Sequence, residues 1–289
     1  MSDQVETHKV QAYQSGIALL AQQEMSRYSG TTRVESGLTG KIAFFDQMGQ
    51  TSMVSKPSRH APTQHVEVET ARRAVVHNYR ETAEFVDRND LTTVLNDPTG
   101  SIGRAQAAAL ARTRDQFVAD AFFGTAKTGE DGSTSTAFPT ATHQVAAGAA
   151  GLTTAKVVSA KRILDEFEID MTQPRYASCT AEQLTDDLLN DADVKTFDSN
   201  TVRALVNGDI NTWVGFNFSP RFEGLPKSGN DRSCAFWARD SMIYIERDLF
   251  VRVEQLPTNS YMWQIFVSAE MGASRMDELG VVEVICTEA

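Results

Sequence analysis

The chain has 289 residues, 41% hydrophobic and 22% charged, with a net charge of -11. That length is about twice a typical domain of roughly 150 residues, so it holds one large domain or two modest ones. The composition excludes wholesale disorder. The acid excess argues against a protein that grips nucleic acid through phosphates. No stretch approaches the roughly 20 apolar residues of a membrane helix.

The acidity is uneven: residues 125–289 carry 14 basic and 24 acidic side chains. Met1 to Lys9 is polar, so no secretory signal is expected. Cys179, Cys234 and Cys286 are odd in number and widely spaced. They form neither a disulfide framework nor a zinc pattern, and fit small buried thiols in a reducing compartment.

In chain order, residues 9–28 predict an amphipathic helix through Val10, Tyr13, Ile17 and Leu20. Lys41 to Met53 predicts extended chain. Ser55 to Pro62, with two prolines, predicts an exposed tip. His65 to Thr70 alternates polar and apolar as a half-exposed strand does. The two limbs make a long excursion over 41–80. A two-stranded arm is marginal alone and needs something to lie on.

The clearest element is a helix over 98–123. Asp97 offers an N-cap oxygen, Pro98 suits the first turn, and Gly124 supplies the stop. Ile102, Ala105, Ala109, Thr113, Phe117 and Ala121 make one stripe, with Arg104, Arg112, Asp115 and Asp120 elsewhere. Residues 125–151 are rich in Gly, Ala, Ser and Thr and predict a loop with one short strand near Gln144-Val145. A helix follows over 153–169, then a buried strand at Tyr176–Cys179 and a short helix at Ala181–Leu189. Strands are expected at Ile210–Phe218, Cys234–Trp237, Met242–Ile245, Phe250–Val253, Tyr261–Ala269 and Val281–Ile285. Helices early and strands late predict an α+β fold.

Catalytic signatures are missing. There is no Gly-x-Ser-x-Gly elbow and no His-Glu-x-x-His helix. Gly37 to Lys41 fails the phosphate-loop spacing, because position 35 is Glu35, and Ile42 replaces the Ser or Thr that holds magnesium. His60 and His65 fit surface histidines better than a metal site. Asp186, Asp187, Asp191 and Asp193 lack the spacing of a calcium loop and fit a solvated face. No cofactor or metal is expected, and an enzyme is not.

Several stretches together resemble a known family. Phe85 to Leu91 is followed by Asn96-Asp97-Pro98 and the long helix, which ends Ala121-Phe122-Phe123-Gly124-Thr125-Ala126. Later come Gly208-Asp209-Ile210, Val214-Gly215-Phe216, Met271-Gly272-Ala273-Ser274-Arg275, and the strand Val281–Ile285. In order and spacing this is similar to the major capsid proteins of tailed bacteriophages, with the Hong Kong 97-type fold.

The resemblance implies a layout. Residues 1–40 would be an N-arm and 41–80 an extended E-loop. Residues 81–152 would be a P-domain with spine helix 98–123, 153–245 an A-domain, and 246–289 the return to the P-domain. It implies a shell protein that forms pentamers and hexamers in an icosahedral head around double-stranded DNA, assembled in the bacterial cytoplasm. Its partners would be itself, with scaffold, portal and decoration proteins possible. DNA would be enclosed without tight specific binding, and no membrane is involved. A long fused scaffolding domain is not expected.

Lys56, Arg59 and His60 at the loop tip, with Arg72 and Arg73, are the candidate subunit-contact residues. Some family members join a loop lysine to a neighbour's asparagine. Lys56 matches the loop position, but no asparagine or carboxylate here can be matched, so a shell without covalent links is expected. An encapsulin-like nanocompartment is the nearer alternative, and a soluble α+β hydrolase the more distant one.

Overall fold

The computed structural model describes residues 22–36, 40–87, 99–188 and 212–288. The first strands are β1 (Arg33–Ser36), β2 (Ile42–Met48), β3 (Thr70–Val76) and β4 (Asn78–Val86). Residues 22–28, expected to end a helix, are irregular and lead into a turn. Gly30 sits there at φ +78°, a conformation glycine adopts without strain. The rest of the expected helix, 9–21, lies outside the described residues.

β2 and β3 pair antiparallel from Ile42↔Val76 to Met48↔Thr70. The strand expected at His65–Thr70 therefore begins only at Thr70. Gly49 N donates to Glu69 O at 2.7 Å, and beyond that point the limbs part. Alternation marks a two-faced segment, but a strand also needs a partner for its backbone, and Pro57 and Pro62 donate nothing.

The long helix α1 spans Thr99–Phe123. It stops where expected: Gly124 N bonds to Asp120 O at 3.1 Å, and a Cβ on Gly124 would lie 2.6 Å from that oxygen. Its proposed cap, Asp97 and Pro98, lies outside the described residues. The buried face is not the expected stripe. Ala108, Ala111, Asp115, Val118, Ala119 and Phe122 are buried, while Ile102, Ala105, Ala109, Thr113, Phe117 and Ala121 are half-buried. A helix with alanine on most sides has almost no amphipathic contrast, so periodicity could not choose the face.

Residues 125–151 were expected as a loop with one short strand. They hold the hairpin β5 (Ala126–Thr128) and β6 (Thr134–Thr136), a one-turn helix α2 (Thr140–His143), and β7 (Gln144–Val145) at the expected place. Gly132 has φ +68°, and a Cβ there would lie 2.8 Å from that of Ala74. The hairpin needs this glycine to close on β3, and short Thr-rich strands give too little pattern to read.

Helix α3 (Thr154–Glu166), strand β8 (Arg175–Ser178) and a π-turn over Gln183–Leu188 follow as expected. The expected strand Ile210–Phe218 is instead a tight hairpin, β9 (Thr212–Trp213) and β10 (Phe216–Asn217). Val214 and Gly215 both take positive φ, which reverses the chain in two residues. Then come β11 (Lys227–Ser228), β12 (Asp231–Ala238), β13 (Met242–Leu256), β14 (Met262–Arg275) and β15 (Val281–Thr287). The runs Met242–Ile245 and Phe250–Val253, read as two strands, are one strand. The charged Glu246-Arg247-Asp248 between them interrupts hydrophobicity but does not end the strand, although Asp248 takes a positive φ of 52°.

Backbone proximity divides the chain into two compact units. One holds residues 26–80, 113–248 and 269–289; the other holds 1–25, 81–112 and 249–268. In the first, a sheet runs β7-β15-β12-β8-β10-β9, with β11 beside β12. β12 from Cys234 to Ala238 and β15 from Val281 to Val284 are buried on both faces, as interior strands are. Their core joins Val157, Leu164, Phe216, Phe236, Val282 and Val284. A second sheet there runs β2-β3-β5-β6; the third sheet of the chain, β1-β13-β14-β4, belongs to neither unit alone. In the smaller unit, Gln106 Nε2 donates to Ile265 O at 3.0 Å, and Phe250 meets Phe266 edge-on. Among the described residues no helix is long and apolar enough to cross a membrane.

Candidate functional site

The exposed excursion between β2 and β3 stands out. Met48 through His60 are thirteen consecutive exposed residues, and the excursion beyond them is exposed except for half-buried Ala61 and Val66. Met53 is fully exposed and Val54 half-exposed. A folded chain seldom leaves that much backbone unpacked without a partner for it. Ala61 N donates to Ser58 O at 3.2 Å, a turn that puts Arg59 and His60 at the apex. No acid lies between Gln47 and Val66, whereas the whole chain carries -11. The excursion is thus a basic, unpacked projection from an acidic protein.

Its root is built rigidly. Arg72 and Asp46 stand opposite in the β2–β3 register and pair at 2.6 Å, with the guanidinium 5.6 Å from the Phe44 ring centre. That hydrogen bond holds the Asp46 carboxyl below the usual carboxylate range. Arg73 is only 3% exposed: Nη2 donates to Glu278 Oε2 at 2.7 Å and to Met276 O at 3.2 Å. Of the five candidate contact residues, Lys56, Arg59 and His60 share the exposed projection and Arg72 its root. Arg73 faces into its own subunit and braces that root.

A second constellation lies on α1. Asp115 is fully buried and accepts from the Ser26 hydroxyl at 2.6 Å, from Arg27 N at 2.9 Å and from Tyr28 N at 3.3 Å. Tyr28 then packs against Phe122 and Trp237, and its hydroxyl meets Ser178 Oγ at 2.7 Å. Arg275, also fully buried, donates through Nη1 to the carbonyls of Phe122, at 2.9 Å, and of Gly124. This places a cation at the negative end of the helix. Sequence reasoning assigned neither residue a role. Asp115 did carry a signal: it sits at helical spacing with Ala108, Ala111, Val118 and Phe122.

The thiols inside are buried, and that of Cys179 is hard to ionise. Cys179, Cys234 and Cys286 are buried free thiols, and burial pushes Cys179 up to about 12. A thiol so hard to ionise is a poor nucleophile. Burial lowers the pKa of His77 and of His143. Among the described residues no group of three or more His, Cys, Asp or Glu could hold a metal ion. His60 and His65 are exposed. Asp187, expected on a solvated face, is half-buried and accepts from Leu152 N at 3.3 Å; Asp191 and Asp193 lie outside the described residues.

The fold is shared with solved capsids. The capsid of Ralstonia phage GP4 aligns with TM-score 0.75 at 9% identity over 98% of this chain and 96% of that one. The capsid of cyanophage P-SCSP1u gives 0.72 at 17% identity, over 99% and 95%. Mycobacterium phage Che8 gives 0.69 at 15% identity, over 96% and 97%. No curated protein matches the sequence. The α+β architecture is thus the Hong Kong 97-type capsid fold. The family model described as phage capsid protein matches residues 5–288. With nearly every residue matched and the fold in agreement, the chain belongs to the phage capsid protein family, the structural proteins that form the shell of the phage head.

Proposed function

We propose that this capsid protein assembles into pentamers and hexamers that close into an icosahedral head around double-stranded DNA, in the cytoplasm of a bacterial host. The observation that carries this reading is the thirteen-residue exposed run Met48–His60, a projection that packs on nothing among the described residues. Its tip, with Lys56, Arg59 and His60, lies on a neighbouring copy, and Arg72 and Arg73 hold its root. Ten residues per limb reach as far as about 33 Å, enough to leave the parent subunit. Burial of small apolar areas at many repeated contacts drives closure.

The layout expected above is kept as part of this proposal: N-arm 1–40, E-loop 41–80, P-domain 81–152, A-domain 153–245 and return strands 246–289. The net charge of -11 suits a container whose wall does not hold its DNA. Scaffold, portal and decoration proteins are proposed partners, and no cofactor takes part. The matched family is that of phage shells, which favours DNA over the protein cargo of a nanocompartment.

Expression alone or with a scaffold, followed by negative-stain microscopy and particle mass, tests the reading. Rings, tubes or shells are expected. A monodisperse 31.8 kDa monomer under every condition overturns it.

A further inference from the structure

We propose that the edge of β13 that no strand pairs among the described residues joins antiparallel with β13 of a second copy of this chain, with Val253 opposite Val253. The inference rests on the assembly reading and adds to it a contact apart from the basic projection.

The strand is exposed in an unusual way. Leu249, Phe250, Val251 and Val253 are 51%, 47%, 62% and 51% exposed, so large apolar side chains stand in water on both faces of one strand. Scattered surface hydrophobes are ordinary, but four within five consecutive residues are not. The backbone is open as well. β1 pairs with β13 only over Ile243 to Glu246. From Arg247 to Leu256, among the described residues, β14 lies on one side and no strand on the other. A flat apolar edge with free N–H and C=O groups is a template for another strand.

The charges select the partner and the register. Arg252 and Glu254 point to the same face and pair at 2.7 Å. If two copies run antiparallel about Val253, each Arg252 falls opposite the other copy's Glu254, and each Phe250 opposite the other's Leu256. Four alternating charges then close into one ring. Sliding the register by two residues either way sets Arg252 against Arg252, or Glu254 against Glu254. Sliding it by one sets charge against valine or glutamine and turns each face over. One register satisfies both charges, and it is symmetric. A contact that uses the same patch on both partners is what a two-fold axis between copies produces.

Phe250 to Leu256 is seven residues, against roughly 20–30 per side in a standard interface. The contact therefore belongs to an assembly in which many weak contacts act together.

Cross-linking decides the matter. Val253→Cys in assembled particles, treated with a mild oxidant and run on a non-reducing gel, should give a dimer band. Facing residues of an antiparallel pair have Cα atoms roughly 4.5–5.5 Å apart, within disulfide reach. Val251→Cys shares that face but would lie opposite Gln255. Two such thiols are four positions out of register, about 13 Å at 3.3 Å per residue, and should stay monomeric. The three native thiols are buried and give no background. Arg252→Glu should cut particle yield several-fold, and adding Glu254→Arg should restore it.

Intact particles that give no Val253→Cys dimer overturn the pairing and leave assembly standing. That result would mean another segment covers the strand, such as a neighbour's N-terminal residues. Equal dimer from both cysteine variants also overturns it. If the unaltered protein never assembles, the reading beneath the proposal fails, and the proposal with it.

Discussion

Asp115 accepts a 2.6 Å hydrogen bond from the Ser26 hydroxyl across 89 residues of sequence. With the Arg27 and Tyr28 amides it makes one carboxylate the receptor for a whole turn. Asp115→Ala would take the acceptor from the buried Tyr28 amide and from the half-buried Ser26 hydroxyl. A loss of about 2–4 kcal/mol of subunit stability is expected, since bonds to charged groups contribute roughly 1.5–3 kcal/mol. Denaturant melts of the unassembled subunit measure it. A change below about 1 kcal/mol would show that the turn stands without the carboxylate.

Arg275 closes the other end of α1 from inside. Arg275→Met keeps much of the apolar stem but removes the donors to Phe122 and Gly124 and the charge at the helix end. The expected cost is about 2–4 kcal/mol. Hydrogen exchange should rise first in the last turn of the helix, and uniform exchange across α1 would count against this cap.

The chain ends in a pH-sensitive clamp. Burial alone would raise the Glu288 carboxyl, but hydrogen bonds from Arg232 and Lys227 outweigh it and bring the group down to about 2. The contacts are short, 2.6 Å from Arg232 Nε and 2.6 Å from Lys227 Nζ. A folded-state pKa below the ordinary value of 4.5 means stability present above that pH and lost as pH falls toward 2. Unfolding free energy measured from pH 6 to pH 2 should drop by about 1–3 kcal/mol more in the parent than in Glu288→Gln. Parallel curves for the two proteins would remove the clamp.

Replacing residues 55–64 by a short Gly-Ser turn should leave a folded subunit that no longer closes. Between β2 and β3 the tip makes no packed core, whereas the root pair of Arg72 and Asp46 stays. Circular dichroism melting and electron microscopy on one sample separate the outcomes. Normal shells would deny the tip a principal contact, and an unfolded subunit would place it in the core.

Mature particles boiled in detergent should run as single chains. Lys56 stands exposed on the projection, and no asparagine and carboxylate of this sequence can be assigned to complete a cross-link. A ladder of multiples of 31.8 kDa would show that they exist.

The sequence by itself determined the elements whose signal is local. Alanine-rich 99–123, stopped by Gly124, could only be a long helix. The spacing of Val157, Ala160, Ile163 and Leu164 set the buried face of α3. The prolines and basic residues of 55–62 marked an exposed tip, and the apolar run at 281–285 marked a core strand. The order of short motifs along the chain was enough for the family.

Tertiary structure decided what depends on a partner far along the chain. Which face of α1 is buried was settled by Ser26 to Tyr28 and by Arg275, not by periodicity, because alanine fits either face. Where β3 begins was settled by the end of β2, since a strand exists only where its hydrogen bonds are answered. Arg73 and Arg72 are adjacent in sequence, yet one is buried against Glu278 and the other stands at the surface beside Asp46. Successive residues of a strand face opposite ways, and only the sheet's position says which way is in. The apolar run Phe250–Val253 reads as a strand in the sequence, yet Phe250, Val251 and Val253 stand about half exposed, which only the placement of the neighbouring strands could show.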